Sequence, residues 1–274
     1  MYGLEGKVAF ITGVARGQGR SHAVALAEQG VDIIGVDVCR QLDTVSYPMA
    51  TPDDLAETVA LVEKLDRRII AVEGDVRDYD QLDAAVRAGV AELGRLDIVL
   101  ANAGVMAHGV PPIENSREAW RDSIDIMLTG VWNTLQVTVP HLIAGGRGGS
   151  IVVTSSSAGL RASGTDMGGG TDGYFASKFG VVGLVKAYAN ALGKHGIRVN
   201  SIHPTGVATP MVVNEFFPEF IAANPELGEQ AVNALPVPVI ESIDVSRAVL
   251  YLVSDHGRYV TGIQMPVDAG LTSR

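Results

Sequence analysis

The chain has 274 residues, 47% hydrophobic and 19% charged, which suits one large α/β unit, and no linker or composition break divides it. A formal net charge of −10 speaks against a nucleic-acid partner. No apolar run approaches the ~20 residues that span a bilayer, which excludes a membrane-embedded reading.

The start, MYGLEGKVAF, predicts no leader, because it lacks a charged-then-apolar pattern and enters a strand almost at once. One cysteine, Cys39, excludes an internal disulfide and predicts a reducing, cytoplasmic setting; its expected role is packing or a lid contact. Six scattered histidines and one cysteine give no metal spacing, so no metal is expected. His108 and His203 lie near strand ends, where loop polarity or a satisfied buried imidazole is the expected role.

Val8 to Ile11 form a buried-strand run, followed by Gly13, Gly17 and Gly19 and then a helical pattern closing at Gly30. Gly13 permits a tight turn, and Gly17 and Gly19 permit close backbone approach. The helix N-terminus then offers amide donors and a positive dipole end to phosphates. A second apolar run, Val31 to Val38, carries Asp37 at its end, about twenty residues past the glycines, where an acid accepts from adenosine ribose hydroxyls. Gln41 to Thr51 has no helical period and follows that strand end, so it is placed to fold over a bound dinucleotide. Thr51-Pro52-Asp53-Asp54 then opens a helix with a capping hydroxyl, a first-turn proline and two acids.

Further along, apolar runs at 7–12, 31–37, 69–73, 97–101, 150–154 and 197–202 alternate with helical patterns at 18–29, 52–66, 78–93, 116–144 and 173–194. A last helix near 242–254 precedes a short strand near 263–267. Such alternation predicts right-handed crossovers and a doubly wound parallel sheet with helices on both faces, a single α/β domain over 1–274. Gly13, Asp37, Asp75, Asn102, Ser156 and Pro204 all fall at carboxyl ends of strands, on one rim.

Tyr174 and Lys178 open the apolar helical run YFASKFGVVGLVKAYANAL. Residues at i and i+4 share a helical face. A phenol titrates near pH ~10, and a fixed cation beside it favours the phenolate. Tyr174 so tuned exchanges a proton with an alcohol or ketone near neutral pH.

Over almost its whole length the chain resembles the short-chain dehydrogenase/reductase family, which has a Rossmann fold. The glycine motif is TGVARGQG, Thr12 to Gly19, with Arg16 and Gln18 inside it. The family's adenine-side acid matches Asp75, with Val76 beside it. The strand-four motif matches Asn102-Ala103-Gly104, and HPTGVATPM resembles the loop that carries the nicotinamide-end residues, here Pro204, Val207 and Thr209. The catalytic serine matches Ser156; Ser155 and Ser157 compete for that role, but alternation at a strand end points them elsewhere. More narrowly, CRQLDTVSYPMATPDDLAETVALVE resembles the carveol-dehydrogenase-like, mycofactocin-associated branch.

The resemblance implies hydride transfer between a secondary alcohol carbon and a nicotinamide ring. Tyr174 is then the general base for oxidation, Lys178 holds the nicotinamide ribose and lowers the Tyr174 pKa, and Ser156 fixes the substrate oxygen. Thr12, Asn102, Ala103 and Gly104 line the cofactor wall or brace the strands. The branch implies NAD that does not exchange between turnovers and an external redox carrier. Asp37 would repel the extra phosphate of NADP, whereas Arg16 and Arg40 favour it; the carboxylate dominates, so NAD is the expected cofactor.

The family usually places an asparagine three residues before a glycine on the preceding helix. Aligned on Gly130, that position is Met127. Asn133 lies six residues on, about 240° around the helix and about 9 Å along it, so it is no simple substitute. The Met127 carbonyl could hold a water if the helix is distorted there; plain packing is the other reading. The surplus between Ser156 and Tyr174, around SGTDMGGGTDG, predicts a flexible glycine loop at Gly168, Gly169 and Gly170, or a tolerated surface insertion.

Two segments decorate the expected domain: a cofactor-side insertion about 39–66 and a substrate lid about 209–240. Phe216, Phe217 and Phe220 close an apolar pocket, or else face the core or another subunit. No Arg or Lys occurs between Met211 and Ile240, which favours an apolar, terpenoid-like alcohol such as carveol. The helices at 116–144 and 173–194 resemble the family's paired interface helices and imply a homodimer or homotetramer. The rival readings are an NADP-dependent ketoreductase of acyl or sugar carbonyls and a non-catalytic nucleotide-binding protein of the same fold.

Overall fold

The apolar runs become a single layer of strands with helices packed on each face. A computed structural model describes residues 2–107, 113–162 and 164–273; the expectation for His108 lies outside them. In chain order the elements are β1 (Val8–Thr12), α1 (Gly17–Ala27), β2 (Asp32–Asp37), α2 (Pro52–Glu63), β3 (Ile69–Glu73), α3 (Tyr79–Leu93), β4 (Ile98–Ala101) and α4 (Ile113–Ile124). Then come α5 (Gly130–Gly145), β5 (Gly149–Thr154), α6 (Gly169–Leu192), β6 (Ile197–Pro204), α7 (Phe216–Ala223), α8 (Pro225–Gln230), α9 (Ser242–Val253) and β7 (Gln264–Val267).

The strands form one sheet in the order β3-β2-β1-β4-β5-β6-β7, every pair parallel. The chain crosses between its two halves from β3 to β4, so β1 and β4 flank the switch point where a crevice opens beyond the strand ends. Strand alternation sorts the core into two layers. Phe10 packs with Ile34, Val99 and Val153 on one face, while Ala9, Ile11, Ile33 and Leu100 pack on the other. Both faces are covered, so β1 and β4 are buried along their whole length.

The succession of strands and helices along the chain follows the alternation read from the sequence, and four details depart from it. The helix expected over 52–66 ends at Glu63; its start has the capping box between Thr51 and Asp54. The single helix expected over 116–144 is interrupted by a π-helical turn, Asp125–Thr129, in which Gly130 N–H donates to the Asp125 carbonyl. The helix expected from 173 begins at Gly169, so much of the predicted glycine loop is helical. Finally, 209–240 contains two short helices, α7 and α8, where the sequence indicated only an apolar lid. No described helix is long and apolar enough to cross a membrane.

Candidate active site

The glycine turn is braced from behind by β4. Asn102 Nδ2 donates to the Thr12 carbonyl at 3.0 Å and the Gly13 carbonyl at 3.3 Å. Thr12 Oγ1 accepts from the Asn102 and Ala103 N–H groups at 3.0 and 3.1 Å. Thr12 is buried, so it braces the wall instead of lining the cleft. At Gly19 a Cβ would lie 1.8 Å from the Gly13 carbonyl oxygen, and only glycine lets α1 start so close to β1. Gly13, Arg16, Gly17, Gln18 and Gly19 all border the cleft, together with Asn102, Ala103 and Gly104 across it. Gln18 Oε1 is buried without a partner.

Asp37 closes the far end. Its carboxylate accepts from Ala15 N–H at 2.9 Å and Cys39 N–H at 3.3 Å, and burial pushes its pKa above the usual range against those bonds and Arg16. Arg16 is the residue before the first turn of α1, and its guanidinium donates to the Pro48 carbonyl in the segment after β2. Arg40, weighed as an offset to Asp37, instead pairs with Asp75 at 2.9 Å. Asp75 is also forked by Arg77, whose Nη2 stands at 2.7 Å, while Arg77 Nη1 reaches Asp122 on α4 at 2.7 Å. Desolvation works to raise the Asp75 pKa, but these arginine bonds win and hold it low. Arg77 borders the cleft and was not singled out in the sequence; a base two residues after the acid in GDVRD was the available signal.

The segment after β2 also reaches the catalytic end. Tyr47 is buried, borders the cleft, and its hydroxyl accepts from Met106 N–H at 3.2 Å. Burial pushes its phenol up to about 12. Cys39 is buried and free, with its thiol pushed up to about 12 by burial first and by Asp37 next, so it behaves as a packing residue.

At the opposite end α6 carries Tyr174 and Lys178 into the cleft. Ser156 follows β5 and is hydrogen-bonded to Tyr174, which lowers the phenol's pKa; its Oγ also accepts from Ala158 N–H at 3.1 Å. Ser155 borders the cleft, but its hydroxyl is spent on the Lys178 carbonyl at 2.8 Å, while Ser157 opens a 3-10 turn. Lys178 Nζ donates to the Thr154 carbonyl at 3.0 Å and lies 5.5 Å from the centre of the Tyr174 ring. Burial raises the Tyr174 pKa and the Ser156 bond lowers it in part. The amine itself is pushed down to about 8 by burial.

Met127 sits on the π-helical turn, is 1% exposed and borders the cleft. The distortion considered in the sequence is therefore present at that residue. Asn133 is engaged elsewhere, donating to the Val76 carbonyl at 3.0 Å, and Val76 borders the cleft beside Asp75. Pro204 ends β6. Val207 is buried and bridged to Ile240, so Pro204 and Val207 stand behind the wall, while Thr209 borders it beside Gly17. Phe220 is buried and stacks on Phe216 with ring centres 6.3 Å apart. No metal-type cluster occurs among the described residues.

A glycine cradle, an acid sunk at the end of β2, an orphaned amide oxygen, Tyr174 and Lys178 share one crevice, with Ser156 bonded to Tyr174. That crevice has the donor and acceptor set for a dinucleotide, and the fold and site together define a nucleotide-binding α/β protein equipped for proton and hydride exchange. A family model described as enoyl-(acyl carrier protein) reductase matches residues 13–272. A (−)-trans-carveol dehydrogenase of Rhodococcus erythropolis is 49% identical over 284 residues, covering 98% of each chain. The crystal structure of carveol dehydrogenase from Mycobacterium avium in complex with NAD is 48% identical with a TM-score of 0.92, covering 100% of both chains. A short chain dehydrogenase from Mycobacterium paratuberculosis bound to NAD is similar to the same degree, 48% and 0.92, over 99% of both. The chain belongs to the short-chain dehydrogenase/reductase family of oxidoreductases.

Proposed function

We propose that this chain is an NAD-dependent dehydrogenase that interconverts an apolar, terpenoid-like secondary alcohol and its ketone. The observation that carries the reading is the hydrogen bond from Ser156 to Tyr174, which borders one cleft with Lys178 and the glycine turn. Tyr174 takes the hydroxyl proton during oxidation and returns it during reduction. Ser156 holds the substrate oxygen, and Lys178 binds the nicotinamide ribose from its seat on Thr154. Gly13, Gly17, Gly19, Asp37 and the Asp75 corner would hold NAD, which would supply the hydride acceptor. The buried Asp37 carboxylate disfavours the added phosphate of NADP, against a ketoreductase reading. Similarity to carveol dehydrogenases and the lid around Phe216 and Phe220 support an apolar substrate.

The segment about 39–66 acts as a cofactor cover in this proposal and 209–240 as the substrate lid. Support for the cover comes from its ties across the cleft: Arg16 to Pro48, Tyr47 to Met106, and Thr44 Oγ1 to Asp122 at 2.6 Å. We infer that NAD stays bound between turnovers and is reoxidised in place by an external carrier of the mycofactocin type. Exposed Trp120, Trp132 and Phe179 on α4, α5 and α6 support a homodimer or homotetramer. The single buried cysteine fits a cytoplasmic setting.

Carveol and related alcohols incubated with the purified protein are expected to reduce bound or added NAD. Tyr174→Phe is expected to lower kcat by about 10² to 10⁴, the usual worth of a positioned acid–base group. Full activity in Tyr174→Phe would end this reading. Protein purified with no nucleotide added is expected to release NAD on denaturation. No released NAD, with fast turnover on free NAD, would sink the non-exchange proposal and leave the dehydrogenase one standing.

A further inference from the structure

Behind the catalytic end lies a buried imidazole that the proposed chemistry does not use. His203 stands on β6 just before Pro204 and is 0% exposed. Its Nδ1 lies 2.7 Å from the Ser156 carbonyl oxygen and its Nε2 lies 2.8 Å from Ser201 Oγ. A carbonyl only accepts, so Nδ1 carries the proton, and Nε2 accepts from the Ser201 hydroxyl. One tautomer satisfies both contacts. Burial pushes the ring's pKa down to about 4, so it is neutral at ordinary pH.

The backbone explains why a side chain is needed at this point. β5 and β6 pair through Thr154 and Ile202, and Ser155 N–H still donates to the Ile202 carbonyl at 2.9 Å. The ladder ends there, because Pro204 has no N–H to give the Ser155 carbonyl, and the Ser156 carbonyl lies one residue beyond the paired strand. Ser156 has left the strand and leads into the 3-10 turn Ser157–Gly159, where Gly159 N–H donates to the Ser156 carbonyl at 2.8 Å. His203 supplies a second donor to that same oxygen. With two donors on one carbonyl, the peptide plane after Ser156 is fixed, and with it the direction in which the Ser156 side chain leaves the chain.

We propose that His203 is a positioning residue: its Nδ1–H, bonded to the Ser156 carbonyl, holds the Ser156 hydroxyl within reach of Tyr174 and the substrate oxygen. This rests on the role proposed for Ser156. The same imidazole joins the strand that presents the serine to the strand that leads into the Pro204–Thr209 loop, so the two arms of the site keep a fixed spacing. The histidine acts through geometry, and its proton never enters the reaction.

The test compares His203→Asn with His203→Gln. The asparagine amide falls near the place of Nδ1 and donates to the Ser156 carbonyl; the glutamine amide reaches toward Ser201 in place of Nε2. His203→Asn is expected to keep kcat within about threefold, and His203→Gln to lose about tenfold or more, with similar melting temperature and NAD affinity in the two. In the glutamine variant the rising limb of kcat against pH for alcohol oxidation moves upward, because the Ser156 bond is what lowers the Tyr174 pKa. The double variant Ser156→Ala/His203→Gln is expected to be no slower than Ser156→Ala. Equal kcat in the asparagine and glutamine variants, or a double variant slower by the full glutamine factor, overturns the proposal. Wild-type turnover in Ser156→Ala removes the parent role of Ser156 itself and is told apart by that variant alone. Should the glutamine protein not fold, nitrogen NMR of the wild-type ring decides: an Nδ1–H tautomer supports the bond, and an Nε2–H tautomer overturns it.

Discussion

Gly170 makes the sharpest link between a single backbone position and turnover. It lies in the first turn of α6, one turn before Tyr174. A Cβ there would sit 1.7 Å from the Ala107 carbonyl oxygen, whereas real Cβ contacts stay beyond 3.0 Å. Gly170→Ala must therefore open a gap of about 1.3 Å, the difference of those two distances, between α6 and the chain after β4. Both neighbours are backbone, so no side chain can rotate away. The Gly170 carbonyl also accepts from Ser123 Oγ at 3.3 Å, which ties the same turn to α4. A shift of that size carries Tyr174 off its reactive line, and a misplacement of about 1 Å costs on the order of 100-fold in rate. The overpacking itself costs about 1–3 kcal/mol of stability. Steady-state kinetics with an alcohol substrate, alongside melting curves and NAD binding, should show kcat down about 100-fold with NAD affinity changed much less. Gly183→Ala on the same helix is the control: its Cβ would meet nothing within 4 Å, and about 0.5–1 kcal/mol of stabilisation is expected. Wild-type kcat in a folded Gly170→Ala protein would show that the Ala107 contact does not hold Tyr174 in place.

Two further outcomes follow from buried ionisable groups. His22 on α1 is 1% exposed, bonds Ser246 Oγ at 2.8 Å, and has its pKa pushed down to about 3 by burial. The unfolded chain takes up a proton below pH 6.5 that the folded one refuses, so stability is intact above 6.5 and falls with pH toward 3. At pH 5 the wild type should have lost about 2 kcal/mol more than His22→Phe, relative to pH 7.5; parallel urea-unfolding series for the two proteins would rule this out. Asp37→Asn removes a charge worth about 4 kcal/mol against another at roughly 4 Å in a partly screened site. The ratio of NADP to NAD affinity, measured by equilibrium dialysis, should rise tenfold or more, and an unchanged ratio would contradict the role given to Asp37.

Much of the architecture was legible because it depends on local period. Buried strands such as Val8–Thr12 and Ile98–Ala101 read as short apolar runs, and helices between them read as amphipathic stretches. The capping box at Thr51 and Asp54 was visible as a residue pattern for the same reason. The glycine spacing and the Tyr174–Lys178 interval also translate directly into which groups share a face or a turn. Reading was poorest where a helix departs from 3.6 residues per turn. The π-helical turn at Met127 adds one residue inside an unbroken apolar stretch, Ile126 to Leu128, and leaves no trace in composition. Likewise α7 and α8 are short, and neither repeats its pattern often enough to be recognised.

The parallel α/β sheet and the rim on which the candidate residues stand follow from strand and helix periods and strand-end positions, which are properties of neighbouring residues. What those residues touch is set by the packed molecule. It put Lys178 on the Thr154 carbonyl, Arg40 and Arg77 on Asp75, Tyr47 beside Met106, and His203 behind Ser156. Those partners come from segments far apart in the chain, and a side chain's pKa and direction are set by which distant dipoles and apolar walls the fold brings within a few ångströms.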